Sequence, residues 1–189
     1  SDEYANLEGA PEDEEKNPML GNHGIRFSLK HPELFKAEMN AIKQLVDKGH
    51  KFGLMFPQII SANEIRDVKK ILKEIGLLDM ENLKIGVMIE TPASVILIRD
   101  ICDEGIDFIS FGTNDLTQYT LAVDRGNEDV QYLYDETGWA IKKQISRVIR
   151  ECHSKRREKK IETSICGQAG SKKEMVEFLV EQGIDSISV

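Results

Sequence analysis

Three cysteines in 189 residues, Cys102, Cys152 and Cys166, are an odd count with no CxxC spacing. That fits a reducing cytosol better than a disulfide framework. Long apolar runs are absent: none approaches the roughly 18 residues a membrane span requires. The N-terminus shows no signal-peptide pattern, so a soluble, cytoplasmic protein with no membrane partner is expected. Positive charge is in short supply, with 25 Lys and Arg against 33 Asp and Glu and a formal net charge of −8. Polyanions such as nucleic acid are poor partners for such a surface, and any phosphate site must be a local basic pocket in an acidic protein. No GxGxxG or GxxxxGK[ST] loop follows any candidate strand, which argues against a nucleotide-binding open sheet.

What is present is a chain of ordinary globular composition, long enough to bury one core. Residues 1–23 are acidic and rich in Gly, Pro and Asn, and read as a loop leading into the folded part, residues 24–189. From Gly24 onward, strand-like and helix-like segments alternate. Gly24 to Phe27 reads as a short strand. Pro32 opens a helix with Leu34, Phe35, Ile42, Leu45 and Val46 on its apolar positions, closed by Gly49. Gly53 to Phe56 reads as a second strand. Ser61 with Glu64 is a capping box opening a helix lined by Ile65, Val68, Leu72 and Ile75. Ile85 to Ile89 is apolar enough for a strand covered on both faces. Thr91-Pro92 starts one helix running to Gly105, and Phe108 to Phe111 is the fourth strand. Beyond a longer segment, Ile141, Ile145, Val148 and Cys152 stripe another helix, and Thr163 to Ile165 is the fifth strand. Ser171 with Glu174 repeats the capping-box pattern, and Ile184 to Val189 begins a sixth strand.

This alternation predicts a parallel α/β fold, either an open doubly wound sheet or a (β/α) barrel. Polar groups recur where strands end: Glu90, then Asn114 and Asp115, then Cys166 and Gln168. Loops after different strands converge on one mouth in a barrel, and that distribution suits it. Glu90 and Asp115 on one rim are a donor set for Mg²⁺, which takes a few carboxylates plus substrate oxygens and water. Each also has a plain reading, Glu90 as a helix-capping residue and Asp115 as a solvated loop acid. Arg125 can pair a phosphate or carboxylate bidentately, or simply pair with Asp124 or another nearby acid. Arg26 can reach a phosphate or serve an ion pair. Cys166, followed by Gly167, can present its thiol to the mouth as acid, base or nucleophile. Cys102 and Cys152, on helix faces, read as inert packing residues. The run Lys155 to Lys160 reads as a solvated loop, and Trp139, Tyr132 and Tyr134 as local packing.

The stretches Asn17-Pro18-Met19-Leu20-Gly21, Gly24-Ile25-Arg26, Gly86-Val87-Met88-Ile89-Glu90-Thr91-Pro92, Gly112 to Asn127 and Ser164-Ile165-Cys166-Gly167-Gln168 run in order along the chain. In these the chain resembles the C-terminal PEP/pyruvate-binding barrel of the PEP-utilising enzymes, a family that includes PEP synthase, pyruvate phosphate dikinase and enzyme I of the sugar phosphotransferase system. Gln168 after Cys-Gly is more like the PEP synthase pattern. The resemblance implies a (β/α)₈ TIM barrel, here incomplete, with about six βα units where a closed barrel has eight and the first two strands missing. It implies Glu90 and Asp115 as Mg²⁺ ligands, and Asn114 and Arg125 as PEP or pyruvate ligands, with His23 and Arg26 on the substrate side. Cys166 would move the proton at the methyl carbon of the pyruvate enolate. The implied partners are PEP and pyruvate, the phosphohistidine and ATP-grasp domains of a full-length enzyme, and a second copy of the chain as a homodimer.

Three departures stand out. His23 occupies a position where the family pattern has Arg, Gly138-Trp139 replaces a His-Pro, and Arg157-Glu158-Lys159 lacks a glycine expected before the Cys-bearing strand. The expected function is phosphoryl transfer between phosphohistidine and pyruvate enolate, with ATP, pyruvate and water giving AMP, PEP and phosphate in the full enzyme. The alternatives are an inactive truncated paralogue serving as a binding or dimerisation module, and an enzyme I-like phosphocarrier.

Overall fold

A computed structural model of the chain describes residues 15–188. Residues 1–14, most of the expected leading loop, lie outside the described part. Among the described residues the first helical feature is a 3₁₀ turn at Pro18–Leu20. The chain then forms α1 (Ile25–Lys30), α2 (Pro32–Asp47), β1 (Phe52–Phe56), α3 (Ala62–Glu74), β2 (Leu83–Ile89), α4 (Pro92–Ile96), α5 (Ile98–Asp103) and β3 (Phe108–Phe111). There follow α6 (Thr113–Leu121), α7 (Trp139–Cys152), β4 (Glu162–Ile165), α8 (Lys173–Gln182) and β5 (Ser186–Ile187).

The strands make one five-stranded sheet in the order β1-β2-β3-β4-β5, and every neighbouring pair is parallel. A doubly wound sheet reverses its strand order at a switch point; this one never does. Consecutive parallel strands joined by helical crossovers are the arrangement of a barrel wall, and the fold is an α/β, barrel-like arc. Closure into a complete barrel is not seen among the described residues.

Register explains how the arc is packed. Leu54, Ile85, Val87, Ile89, Ile109, Phe111 and Ile165 point to one face and are buried in the main core with Ile65, Val68, Leu72, Ile101, Ile145 and Val148 from the helices. Met55, Lys84, Met88, Phe108, Glu162 and Ser164 share the other face, where Lys84 and Glu162 form an ion pair at 2.9 Å. Ile85 to Ile89 is accordingly mostly buried on both faces, with Ile85, Val87 and Ile89 in the main core, Gly86 buried and Met88 half-buried on the other side. On that side the Phe108 ring lies across β2, where a Cβ on Gly86 would come within 2.4 Å of it. A glycine is required there because the ring occupies the side-chain position.

Several local expectations hold. The capping box at Ser61 and Glu64 forms, and Thr91 Oγ1 accepts the Ser94 N–H at 3.1 Å as an N-cap. Others are corrected. Gly24 to Phe27 is not a strand; Gly24 takes φ 59 and the Phe27 and Ser28 N–H groups fold back onto its carbonyl, starting α1. With that strand gone, the count is five. The helix after Pro92 breaks at Leu97 into α4 and α5. In α2, Leu34 and Leu45 face outward, and Met39 joins Phe35 and Val46 in the core. The Ser171–Glu174 box does not form, because Gln168–Ser171 is a 3₁₀ turn and α8 starts later, at Lys173. Glu174 pairs instead with Lys142. No helix among the described residues is long and apolar enough to cross a membrane.

Candidate functional site

The strand ends bring Glu90 and Asp115 to one residue that sequence reasoning missed. Gln58 lies two positions past the end of β1, behind Pro57. It is buried and adopts φ 57, a left-handed conformation uncommon for a residue with a Cβ. Its N–H donates to Glu90 Oε1 at 2.6 Å and its side-chain amide donates to Asp115 Oδ2 at 3.1 Å. Tyr119 from α6 reaches the same amide oxygen at 3.4 Å, and its hydroxyl donates to the Met19 carbonyl at 2.6 Å. The signal was available: a polar residue just past a strand end is the same pattern that singled out Glu90.

Glu90 directly follows β2 and is buried. Burial pushes its carboxyl up to about 7; the neighbouring Asp115 charge adds to this, and the Gln58 N–H opposes it. Gly112, at the end of β3, is held small by this carboxylate, since a Cβ there would lie 2.8 Å from Glu90 Oε2. Asp115 and Asn114 are not in a loop. They form the first turn of α6, an element that the sparse apolar spacing of residues 112–121 conceals. A carboxylate is electrostatically at home there.

Arg125 lies 3.7 Å from Asp115 Oδ1 and keeps a side chain 43% exposed, so the plain reading of an acid partner holds, but the acid is Asp115 and not Asp124. Tyr134, read as packing, is also part of the surroundings: its hydroxyl donates to the Asn114 carbonyl at 2.9 Å, and burial raises its pKa to about 12. Asn114 Oδ1 accepts the Gln168 N–H at 3.1 Å, which ties α6 to the loop after β4. Gly167 makes this junction possible, because a Cβ there would lie 1.8 Å from Thr113 Oγ1. Cys166, between β4 and that loop, is exposed and rests against the Phe111 carbonyl at 3.7 Å.

His23 and Arg26 behave differently. Arg26 turns back on its own approach loop, donating to the Leu20 and Gly21 carbonyls at 3.3 and 3.2 Å. His23 leaves both ring nitrogens buried and without a hydrogen-bond partner, next to Gly24, where a Cβ would come within 2.9 Å of the Gln58 side chain. The geometry thus unites Glu90, Asp115, Arg125, Asn114 and Cys166 along the ends of β2, β3 and β4, with His23 on the approach loop and Arg26 holding that loop in place.

No cluster of three or more His, Cys, Asp and Glu among the described residues is positioned to hold a metal. Mg²⁺ asks for less, since one or two carboxylates suffice when substrate oxygens and water complete its shell. Glu90 and Asp115 fit that requirement: they are hard oxygen donors linked through Gln58, and no Lys or Arg among the described residues forms an ion pair with Glu90.

Comparison with known proteins gives the family of the chain. The model of the PEP-utilising enzyme, PEP-binding domain, matches residues 2–189. The chain is 54% identical over 181 residues to a phosphoenolpyruvate synthase from Pyrococcus furiosus, covering 95% of this chain and 22% of that protein. It is 53% identical over 191 aligned positions to a probable phosphoenolpyruvate synthase from Archaeoglobus fulgidus, covering 100% of this chain and 25% of that protein. A phosphoenolpyruvate-protein phosphotransferase from Buchnera aphidicola is 40% identical over 182 residues, or 93% of this chain and 31% of that protein. The chain spans about a quarter of the length of the synthase relatives.

Proposed function

The chain belongs to the PEP-utilising enzymes through their PEP-binding domain, and from that premise we propose that it is the PEP/pyruvate-binding part of a PEP synthase-type phosphotransferase. The observation that carries this reading is the junction at Gln58, which draws Glu90 and Asp115 together beside Arg125 at the mouth of the arc.

In this proposal Glu90 and Asp115 hold Mg²⁺, which when bound supplies positive charge to stabilise an enolate oxygen. Arg125 is exposed enough to turn from Asp115 to a phosphate or carboxylate, for which its guanidinium fork is suited. The side-chain amide of Asn114, fixed through Gln168, orients the substrate. Toward PEP formation, the Cys166 thiolate takes a proton from the methyl group of pyruvate; toward pyruvate, the thiol returns it. The enolate oxygen receives the phosphoryl group from a phosphohistidine, which belongs to another domain of the proposed full enzyme. Nothing in this chain has to do covalent work on phosphorus; its residues bind, orient and move one proton.

Calorimetry of PEP binding tests the reading. Heat of binding is expected with Mg²⁺ and not with a chelator, and Asp115→Asn is expected to remove it. Absence of Mg²⁺-dependent heat in both the unchanged chain and a His23→Arg variant would overturn the proposal.

A further inference from the structure

At the other end of the sheet, two thiols that the sequence presents as unrelated packing residues are in contact. Cys102 on α5 and Cys152 at the last position of α7 are both buried, with their sulfurs 3.9 Å apart. Cys102 also lines a cavity of roughly 580 Å³ between the helix ends and the 154–161 loop, together with Arg99, Arg156, Arg157 and Lys159. Arg157 is fixed across both helices. It donates to Asp103 at 2.7 Å and to the Arg99 carbonyl at 3.5 Å on one side, and to the Glu151 carbonyl at 3.2 Å on the other.

We propose that Cys102 and Cys152 are a disulfide modification site, closed by a hydroperoxide admitted through this cavity, that staples α5 to α7. The sulfurs need to approach by about 2 Å to reach the bonded distance, a shift within the reach of χ1 adjustments on two helix ends. Cys102 is the attacking sulfur. The hydrogen bond from Cys152 lowers its pKa, burial opposes that, and the Arg157 charge adds to the lowering. Its thiolate attacks the outer peroxide oxygen; the O–O bond breaks and the alcohol leaves with a proton, giving a sulfenic acid. The Cys152 sulfur then attacks the Cys102 sulfur, the S–S bond forms as the S–OH bond breaks, and water leaves with the Cys152 proton. Two thiols and one hydroperoxide become one disulfide, one alcohol and one water. The proposal is independent of what the mouth of the arc binds.

The test uses the whole chain carrying Cys166→Ser, so that the exposed thiol at the opposite end cannot scramble the result; Cys166→Ala serves if the serine variant does not fold. Native protein is treated with hydrogen peroxide as the probe and read by intact mass, thiol titration and peptide mapping. The expected result is loss of both remaining thiols, a mass about 2 units lower, a Cys102–Cys152 cross-linked peptide, and full reversal by dithiothreitol. With Cys152→Ser added, dimedone is expected to trap a sulfenic acid on Cys102. Two reduced thiols after treatment, sulfinic acid in place of a cross-link, or a cross-link formed only in denaturant would each overturn the proposal.

Discussion

The two ends of the sheet treat their acids in opposite ways. Where β3 and β5 begin, Asp107 and Asp185 are saturated with donors. Asp107 accepts the Ile85 N–H at 2.8 Å and Lys159 at 2.7 Å. Asp185 accepts the Thr163 N–H and hydroxyl at 2.9 and 3.0 Å, His153 at 2.9 Å, and Lys160. Burial would raise both carboxyls, but these donors outweigh it and hold them below the usual range. Where β2 ends, Glu90 is buried with only one N–H, from a strained Gln58, to offset that burial, and a like charge lies nearby, so its pKa rises. The lower end spends its polar groups on holding strands and helices together. The upper end leaves Glu90 without an ion-pair partner among the described residues, which suits a site whose partners come from outside.

That contrast makes stability and binding separable. Removing Asp185 carries the largest expected loss. Asp185→Ala strands the Thr163 N–H and should cost about 2–4 kcal/mol in urea unfolding at pH 7, with no change in PEP heat. Because the folded pKa of Asp185 is lowered, its contribution is present above the unfolded value and lost as pH falls through the folded one. The gap between Asp185→Ala and the unchanged chain should therefore stay constant from pH 8 to about 4 and close below that. Gly167→Ala should cost about 1–3 kcal/mol, because the added Cβ collides with Thr113. Unlike the first change, it should also weaken PEP binding by pulling the Gln168 N–H away from Asn114.

His23→Arg is the reverse case. It replaces two unpartnered ring nitrogens with a charged fork, and should strengthen PEP binding by about tenfold, or 1.4 kcal/mol. Ser61→Ala, which removes one half of the capping box on α3, should cost about 1 kcal/mol and leave binding alone. A stability loss for His23→Arg alongside a binding loss for Asp185→Ala would break the division between the ends.

The strands, the core and the polar residues at the strand ends were the easier parts to read from sequence. The lower-end network of Asp107, Asp185 and the 157–160 segment, whose sequence reads as a solvated loop, was not. Strand runs such as Phe108 to Phe111 and the capping box at Ser61 obey local rules, and the structure follows them. Failures cluster where tertiary contacts overrule local pattern. Ile25 and Phe27 alternate like a strand, yet the positive φ of Gly24 turns them into α1. The α6 sequence is poor in apolar spacing because its first turn carries Asn114 and Asp115, and so the helix that presents them was hidden. Cys102 and Cys152 lie 50 residues apart, and only the packing of α5 on α7 brings them together. Gln58 could have been found by position, but not its strained backbone or its two carboxylate partners.

Glu90→Gln, measured for both stability and binding, tests the division most directly. The folded pKa of Glu90 is raised from 4.5 to about 7, so the stability linked to its proton is fully present below the unfolded pKa and is lost as pH rises through 7. In chelator at pH 8, the neutral Gln should make the chain more stable by up to about 3 kcal/mol, and the gain should vanish near pH 4. The same variant should lose Mg²⁺-dependent PEP heat. A variant that is less stable than the unchanged chain at pH 8, or that still binds PEP with Mg²⁺, would contradict the account.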